Sequence, residues 1–173
     1  VVDAVSPRAV IAIDSLAARA LDRLSSTVQL TDTGIQPGSG VGNHRAALTR
    51  ETLGVPVLAV LLGADVEAVT SRGGGITEES FRKKKAVIRT AIEVNRPDRD
   101  DVVGVLSKVG GFDLAAMCGA FLGAAAARRP AVIDGLISAA AALCAVRLCP
   151  NVRGYLVPSH ASFEIGYRLA MEA

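Results

Sequence analysis

At 173 residues the chain is long enough for one domain with a substantial core and short for two. Half of it is hydrophobic, yet only 3% is aromatic and Trp is absent, so the core must be built from Val, Ile, Leu and Ala. A net charge of +2 excludes the strongly basic profile of a nucleic-acid binder or a polybasic membrane anchor.

In chain order, Ala9-Val10-Ile11-Ala12-Ile13 is a short apolar run ending at Asp14 and reads as a buried parallel strand. Ser15 is an N-cap candidate for a helix over 16–24, and Thr27–Thr31 alternates as a second strand. A Gly-rich stretch follows, Gly34 to Asn43, with four glycines and Pro37. Glycine lets a backbone approach a ligand closely, so Gly40, Gly42 and Asn43 could offer N–H groups to an anion. The spacing is neither the dinucleotide fingerprint nor a Walker loop, and an ordinary wide loop stands as the other reading.

The run Val55–Leu62 is expected to be a third strand to about residue 61, because Pro56 and the Val-rich composition disfavour helix. A short helix over 64–70 precedes a second glycine loop, Gly73-Gly74-Gly75. Thr77 is a good N-cap, and Glu78 and Glu79 load the first turn of a helix over 78–94. Within it, Arg82-Lys83-Lys84-Lys85 reads as a solvated face. Helices are expected over 100–109, 114–128, 136–148 and 163–172, and short strands over 131–134 and 155–158. The order predicts a single α/β domain over 1–173, a three-layer Rossmann-like sandwich with a mainly parallel sheet of about five strands. Ligands gather outside the carboxyl ends of such strands. That places Asp14, the 32–43 loop, Asp134 and Ser159-His160 on one edge.

Cys118, Cys144 and Cys149 sit in apolar surroundings and read as free core thiols of a reducing cytoplasm. With two histidines and no zinc spacing, no metal and no cofactor is expected. No basic-then-apolar leader opens the chain, and Ala131–Ala145 is too short and too interrupted to span a bilayer. The expectation is a cytoplasmic protein with neither membrane nor nucleic-acid partner. Ser159-His160 lacks an acidic residue at triad spacing and reads as a strand-end turn.

Two family resemblances divide the chain. Ile11-Ala12-Ile13-Asp14-Ser15-Leu16-Ala17-Ala18-Arg19, Asp32-Thr33-Gly34-Ile35, Pro37-Gly38-Ser39-Gly40-Val41-Gly42-Asn43 and Glu51-Thr52-Leu53-Gly54-Val55-Pro56-Val57 resemble the germination protease family over about residues 8–60. Leu62-Gly63-Ala64-Asp65-Val66-Glu67-Ala68-Val69, Arg72-Gly73-Gly74-Gly75, Arg82-Lys83-Lys84-Lys85-Ala86-Val87-Ile88, Val109-Gly110-Gly111-Phe112-Asp113, Ile133-Asp134-Gly135 and Pro158-Ser159-His160 resemble nicotinate-nucleotide–dimethylbenzimidazole phosphoribosyltransferases over about 61–173. Together they imply an engineered chimera joined near residue 60, shortly after a Gly-Val/Ile-Gly-Asn loop that both families share.

The protease resemblance implies an aspartic-type hydrolase with two acidic residues, of which Asp14 is the remnant and the other precedes this chain. The transferase resemblance implies nicotinate mononucleotide and a benzimidazole as substrates. Its catalytic Glu, in a Gly-Glu-Gly segment, falls beyond Ala173, and a second Glu is replaced by Gly38. Lys84 corresponds to a lysine near the nucleotide phosphate, with Gly73, Gly74 and Gly75 beside it. The expectation is therefore a domain with no complete catalytic apparatus. Residual phosphate or mononucleotide binding, weak phosphoribosyltransferase activity, and a spore-endopeptidase remnant are the alternatives. The transferase family is dimeric, so exposed faces of helices 114–128 and 136–148 would favour self-association.

Overall fold

The computed structural model describes residues 50–70 and 77–173, the side chains of 50–53 excepted. All of them belong to one compact unit, Ala46–Ala173, separate from Val1–Arg45. The expected strands at 9–13 and 27–31 lie outside the described residues.

The first described element corrects the reading of residues 55–61. Arg50–Leu62 is a helix, α1, with Pro56 in its interior. Pro56 removes one N–H from the helical ladder, a cost that propensity alone would make decisive. Burial outweighs it here. Val55, Val57, Leu58 and Leu61 are fully buried and Ala59 nearly so, which means α1 hides side chains in every direction. Gly54 permits this crowding, since a Cβ there would stand 3.4 Å from the Ala140 Cβ and 3.5 Å from the Ile137 Cα.

α1 closes on a Schellman motif. The Ala64 N–H donates to Ala59 O at 3.0 Å and the Gly63 N–H to Val60 O at 3.1 Å. Gly63, at φ +62°, supplies the left-handed residue that this cap needs. The Leu61 carbonyl accepts from Arg99 Nη2 at 3.3 Å and Arg147 Nη2 at 3.0 Å, so two guanidinium groups meet the negative end of the helix.

Val66–Val69 forms α2, a single turn whose N-cap Asp65 accepts from the Glu67 N–H at 2.9 Å. α3, Glu78–Asn95, starts where expected, with the Thr77 hydroxyl accepting from the Ser80 N–H at 3.2 Å. It ends at Arg96, which is left-handed at φ 42°, immediately before Pro97. α3 is amphipathic: Lys84 and Ile88 are buried, Phe81, Lys85 and Ile92 half-buried, and the opposite side is exposed. α4, Val102–Val105, runs into a π-helical turn over Leu106–Gly110. α5, Phe112–Ala126, buries Leu114, Met117, Cys118 and Phe121 on one stripe.

Next come β1 (Ala131–Ile133), α6 (Gly135–Leu148), a 3-10 turn (Pro150–Tyr155), β2 (Leu156–Pro158) and α7 (Ile165–Glu172). β1 and β2 pair in parallel, Ala131 opposite Leu156, Val132 opposite Val157 and Ile133 opposite Pro158. The fold is α/β, and these two expected strands form the sheet among the described residues.

α6 corrects a second expectation. Every residue from Ala139 to Ala145 is buried, because α1, α5 and α7 all pack against it. Small side chains let these helices close on one another. α6 therefore offers no free face for self-association, whereas α5 does expose Ala115, Ala116, Gly119, Ala120 and Gly123. No helix among the described residues is long and apolar enough to cross a membrane.

Candidate functional site

The carboxyl ends of β1 and β2 lie side by side and bring together three residues far apart in the chain. β1 gives way to α6 through Asp134 and Gly135, whose φ of +79° turns the strand directly into the helix. Asp134 occupies the N-cap position, but its carboxylate makes no capping bond. Ser138 serves the local backbone instead: its Oγ accepts the Asp134 N–H at 2.8 Å and contacts the Asp134 carbonyl at 2.7 Å. The carboxylate is thus released to reach across to β2.

There the Ser159 hydroxyl donates to Asp134 Oδ1 at 2.6 Å. His160 Nδ1 stands 2.8 Å from Ser159 Oγ and 3.3 Å from Asp134 Oδ1. The Ser159 N–H extends the parallel ladder by donating to Ile133 O at 2.9 Å. Buried Tyr167, from α7, fixes the next residue by donating its hydroxyl to the His160 carbonyl at 2.9 Å. The rings of His160 and Tyr167 lie nearly parallel, 14° apart, with centroids separated by 6.2 Å. The Asp134 and His160 side chains are 78% and 54% exposed, so the cluster faces solvent from a buried base.

Sequence reasoning placed Asp134 and Ser159-His160 on the same edge but read the pair as a plain turn. The structure supplies the acidic partner. It is not a hydrolase triad, because the carboxylate engages the serine and the same imidazole nitrogen that faces the serine. Ser138 and Tyr167 had no sequence signal beyond their chemistry. Asp14, Gly40, Gly42, Asn43, Gly73, Gly74 and Gly75 lie outside the described residues.

Lys84 does lie within them, and it corrects the reading of the basic tract as a solvated face. Lys83 is 74% exposed and pairs with Glu79 at 2.7 Å, as a surface lysine would. Lys84 is only 8% exposed. Lys85 is held against α2 by Glu67 at 2.5 Å and lies 4.5 Å from the centre of the Phe81 ring. Arg89 also pairs with Glu67. The hydrogen bond from Lys85, followed by the Arg89 bond and the charges of both cations, holds the Glu67 carboxyl below its ordinary range against an opposing desolvation that is second only to the Lys85 bond.

Cys118 and Cys144 are buried as expected, while Cys149 is half-buried. Burial raises the Cys118 thiol, and burial together with Cys118 pushes Cys144 up to about 12. Asp113, in the first turn of α5, keeps one buried carboxylate oxygen without a partner, a position where the helix dipole favours negative charge. No group of side chains among the described residues could hold a metal ion.

This strand-end arrangement stands in a chain whose residues 39–173 match the phosphoribosyltransferase family model, and the chain belongs to that family. Among its relatives are nicotinate-nucleotide–dimethylbenzimidazole phosphoribosyltransferases. That of Clostridium tetani is 40% identical over 85% of this chain and 41% of its own length. That of Alkaliphilus metalliredigens is 44% identical over 87% of this chain and 40% of its own. The crystal structure of CobT from Thermus thermophilus superposes with a TM-score of 0.66 at 35% identity, over 70% of this chain and 36% of that one. The chain spans about two fifths of the length of these curated relatives.

These matches correct the junction expected near residue 60. The family match begins at residue 39, and an alignment covering 87% of the chain leaves too few residues at either end to avoid position 60. α1 gives the structural counterpart, for residues 55–61 are helix and continue into the unit that carries the cluster. The relatives described here are phosphoribosyltransferases, and none is a germination protease.

Proposed function

We propose that this chain holds nicotinate mononucleotide for transfer of its phosphoribosyl group to dimethylbenzimidazole. In that reaction the bond from the ribose anomeric carbon to the nicotinate nitrogen breaks and a bond to a benzimidazole nitrogen forms. Nicotinate leaves, and the benzimidazole N–H proton passes to a base.

One observation carries the reading: the Asp134 carboxylate has left its capping position and joined Ser159 beside the start of the 14-residue helix α6. An uncapped helix start with the positive end of its dipole suits a phosphate. A carboxylate suits sugar hydroxyls, which donate to it. A mononucleotide offers both groups. Lys84, with the Gly73–Gly75 loop, supplies the further phosphate contacts of this proposal, since a lysine charge and backbone N–H groups are what a phosphate needs. The family match supports this reading over a chimera joined near residue 60, because it runs across that position.

Binding of nicotinate mononucleotide tests it. The expected result is saturable binding, weakened at least about tenfold in Lys84→Ala as one charge-assisted contact is lost. A chain that does not bind the mononucleotide would contradict the proposal.

A further inference from the structure

The hydrogens around Ser159 can be counted. A serine hydroxyl has one hydrogen and two lone pairs, and a carboxylate only accepts. The 2.6 Å contact to Asp134 Oδ1 therefore takes the Ser159 hydrogen. His160 Nδ1 lies 2.8 Å from the same Oγ, which has no second hydrogen to give. Nδ1 must then be the donor. Asp134 Oδ1, 3.3 Å away on the same side of the ring, favours a hydrogen there too. A neutral imidazole carries one N–H, so Nε2 is left with a lone pair.

We propose that Asp134, acting through Ser159, is a positioning residue that fixes His160 in the Nδ1–H tautomer and presents Nε2 as an acceptor for a ribose hydroxyl of the bound nucleotide. The ligand class rests on the mononucleotide reading above; the tautomer rests on the geometry alone. Tyr167 completes the mounting by holding the His160 carbonyl and flanking its ring. An Nε2 lone pair and the Asp134 carboxylate are both acceptors. They favour a ligand bearing hydroxyl groups and give nothing to bare phosphate, whose oxygens are acceptors as well.

The test uses the full chain with 15N-labelled histidine at about pH 8.5, above the ordinary histidine range. His160→Gln assigns the signals by removing one set. The wild type should show His160 as the Nδ1–H tautomer. Asp134→Ala frees the Ser159 hydrogen to donate to Nδ1 and should turn the ring to Nε2–H, while Asp134→Asn, which keeps an acceptor oxygen, should restore Nδ1–H. With the Asp134 side chain 78% exposed, neither change removes buried packing. Nicotinate mononucleotide should bind about tenfold more weakly to Asp134→Ala, on the scale of one or two lost hydrogen bonds, while inorganic phosphate should bind no more weakly than to the wild type. A wild-type Nε2–H tautomer, or one that Asp134→Ala leaves in place, overturns the role of Asp134. Equal weakening of mononucleotide and phosphate overturns the hydroxyl-acceptor role. A wild type that binds no mononucleotide overturns that role and the proposed function together, while the tautomer still decides the positioning role separately.

Discussion

α1 and α3 are both helices, yet only one of them announces itself in the sequence. α3 has a capping Thr77, an acidic first turn and a buried face formed at Phe81, Lys84, Ile88 and Ile92. α1 has Pro56, three β-branched valines (Val55, Val57 and Val60) and no polar side between Gly54 and Ala59. Periodicity reports the boundary between core and water, so a helix with core on every side has none to report. The comparison makes position in the fold, rather than propensity, the reason α1 is helical.

The largest test of that contrast is Leu58→Ala against Val87→Ala. Leu58 is fully buried, and its truncation should cost about 2–5 kcal/mol, read from denaturant midpoints. Val87 is 56% exposed on α3 and should change stability by less than about 0.5 kcal/mol. Similar losses at both sites would remove the distinction. Gly166→Ala comes next. A Cβ there would stand 2.9 Å from the Val69 carbonyl and 3.1 Å from Leu136 Cδ1, forcing α7 away from α2 and α6. Overpacking less the gain in helix propensity predicts a net loss of about 1–2 kcal/mol in the same measurement.

Thr77→Ala probes the helix that is legible. Losing the hydroxyl that accepts from the Ser80 N–H should cost about 1 kcal/mol, and Thr77→Asp should restore most of it. The last effect concerns the thiols and is absent near neutral pH. Cys144 holds its proton more tightly in the folded state than in the unfolded chain. Between an unfolded thiol near ~8.5 and the folded value of about 12, the folded state binds more protons, so stability should fall as pH rises through that window. Thermal melts from pH 7 to pH 10 check the sign. In the native protein half-buried Cys149 should react with a thiol reagent well before Cys118 or Cys144.

Legibility followed the same physics elsewhere. The β1 and β2 strands, the Thr77 cap and helices α3, α5, α6 and α7 were readable because turn residues, caps and Pro130 or Pro150 mark their limits. The Val55–Leu62 run was not, although Gly63 held a signal: a glycine after an apolar run is also a helix C-terminal cap, as its φ of +62° shows. Half of the candidate site was legible. Strand-end logic placed Asp134, Ser159 and His160 on one edge, but the register that sets Ile133 opposite Pro158, and hence Asp134 beside Ser159, is a tertiary fact. Lys84 shows the reverse case. Its neighbours in the basic tract face water or meet Glu67, and nothing in four consecutive cations tells which one faces inward.

Amide-resolved titration of the 15N-labelled chain with nicotinate mononucleotide tests most directly whether the strand ends form a nucleotide site. Saturable shifts should appear at Gly135, Leu136, Ser159 and His160 and at Lys84, and should be absent from the exposed outer face of α5. Unmoved signals at Gly135 and Ser159 with millimolar ligand would contradict the site.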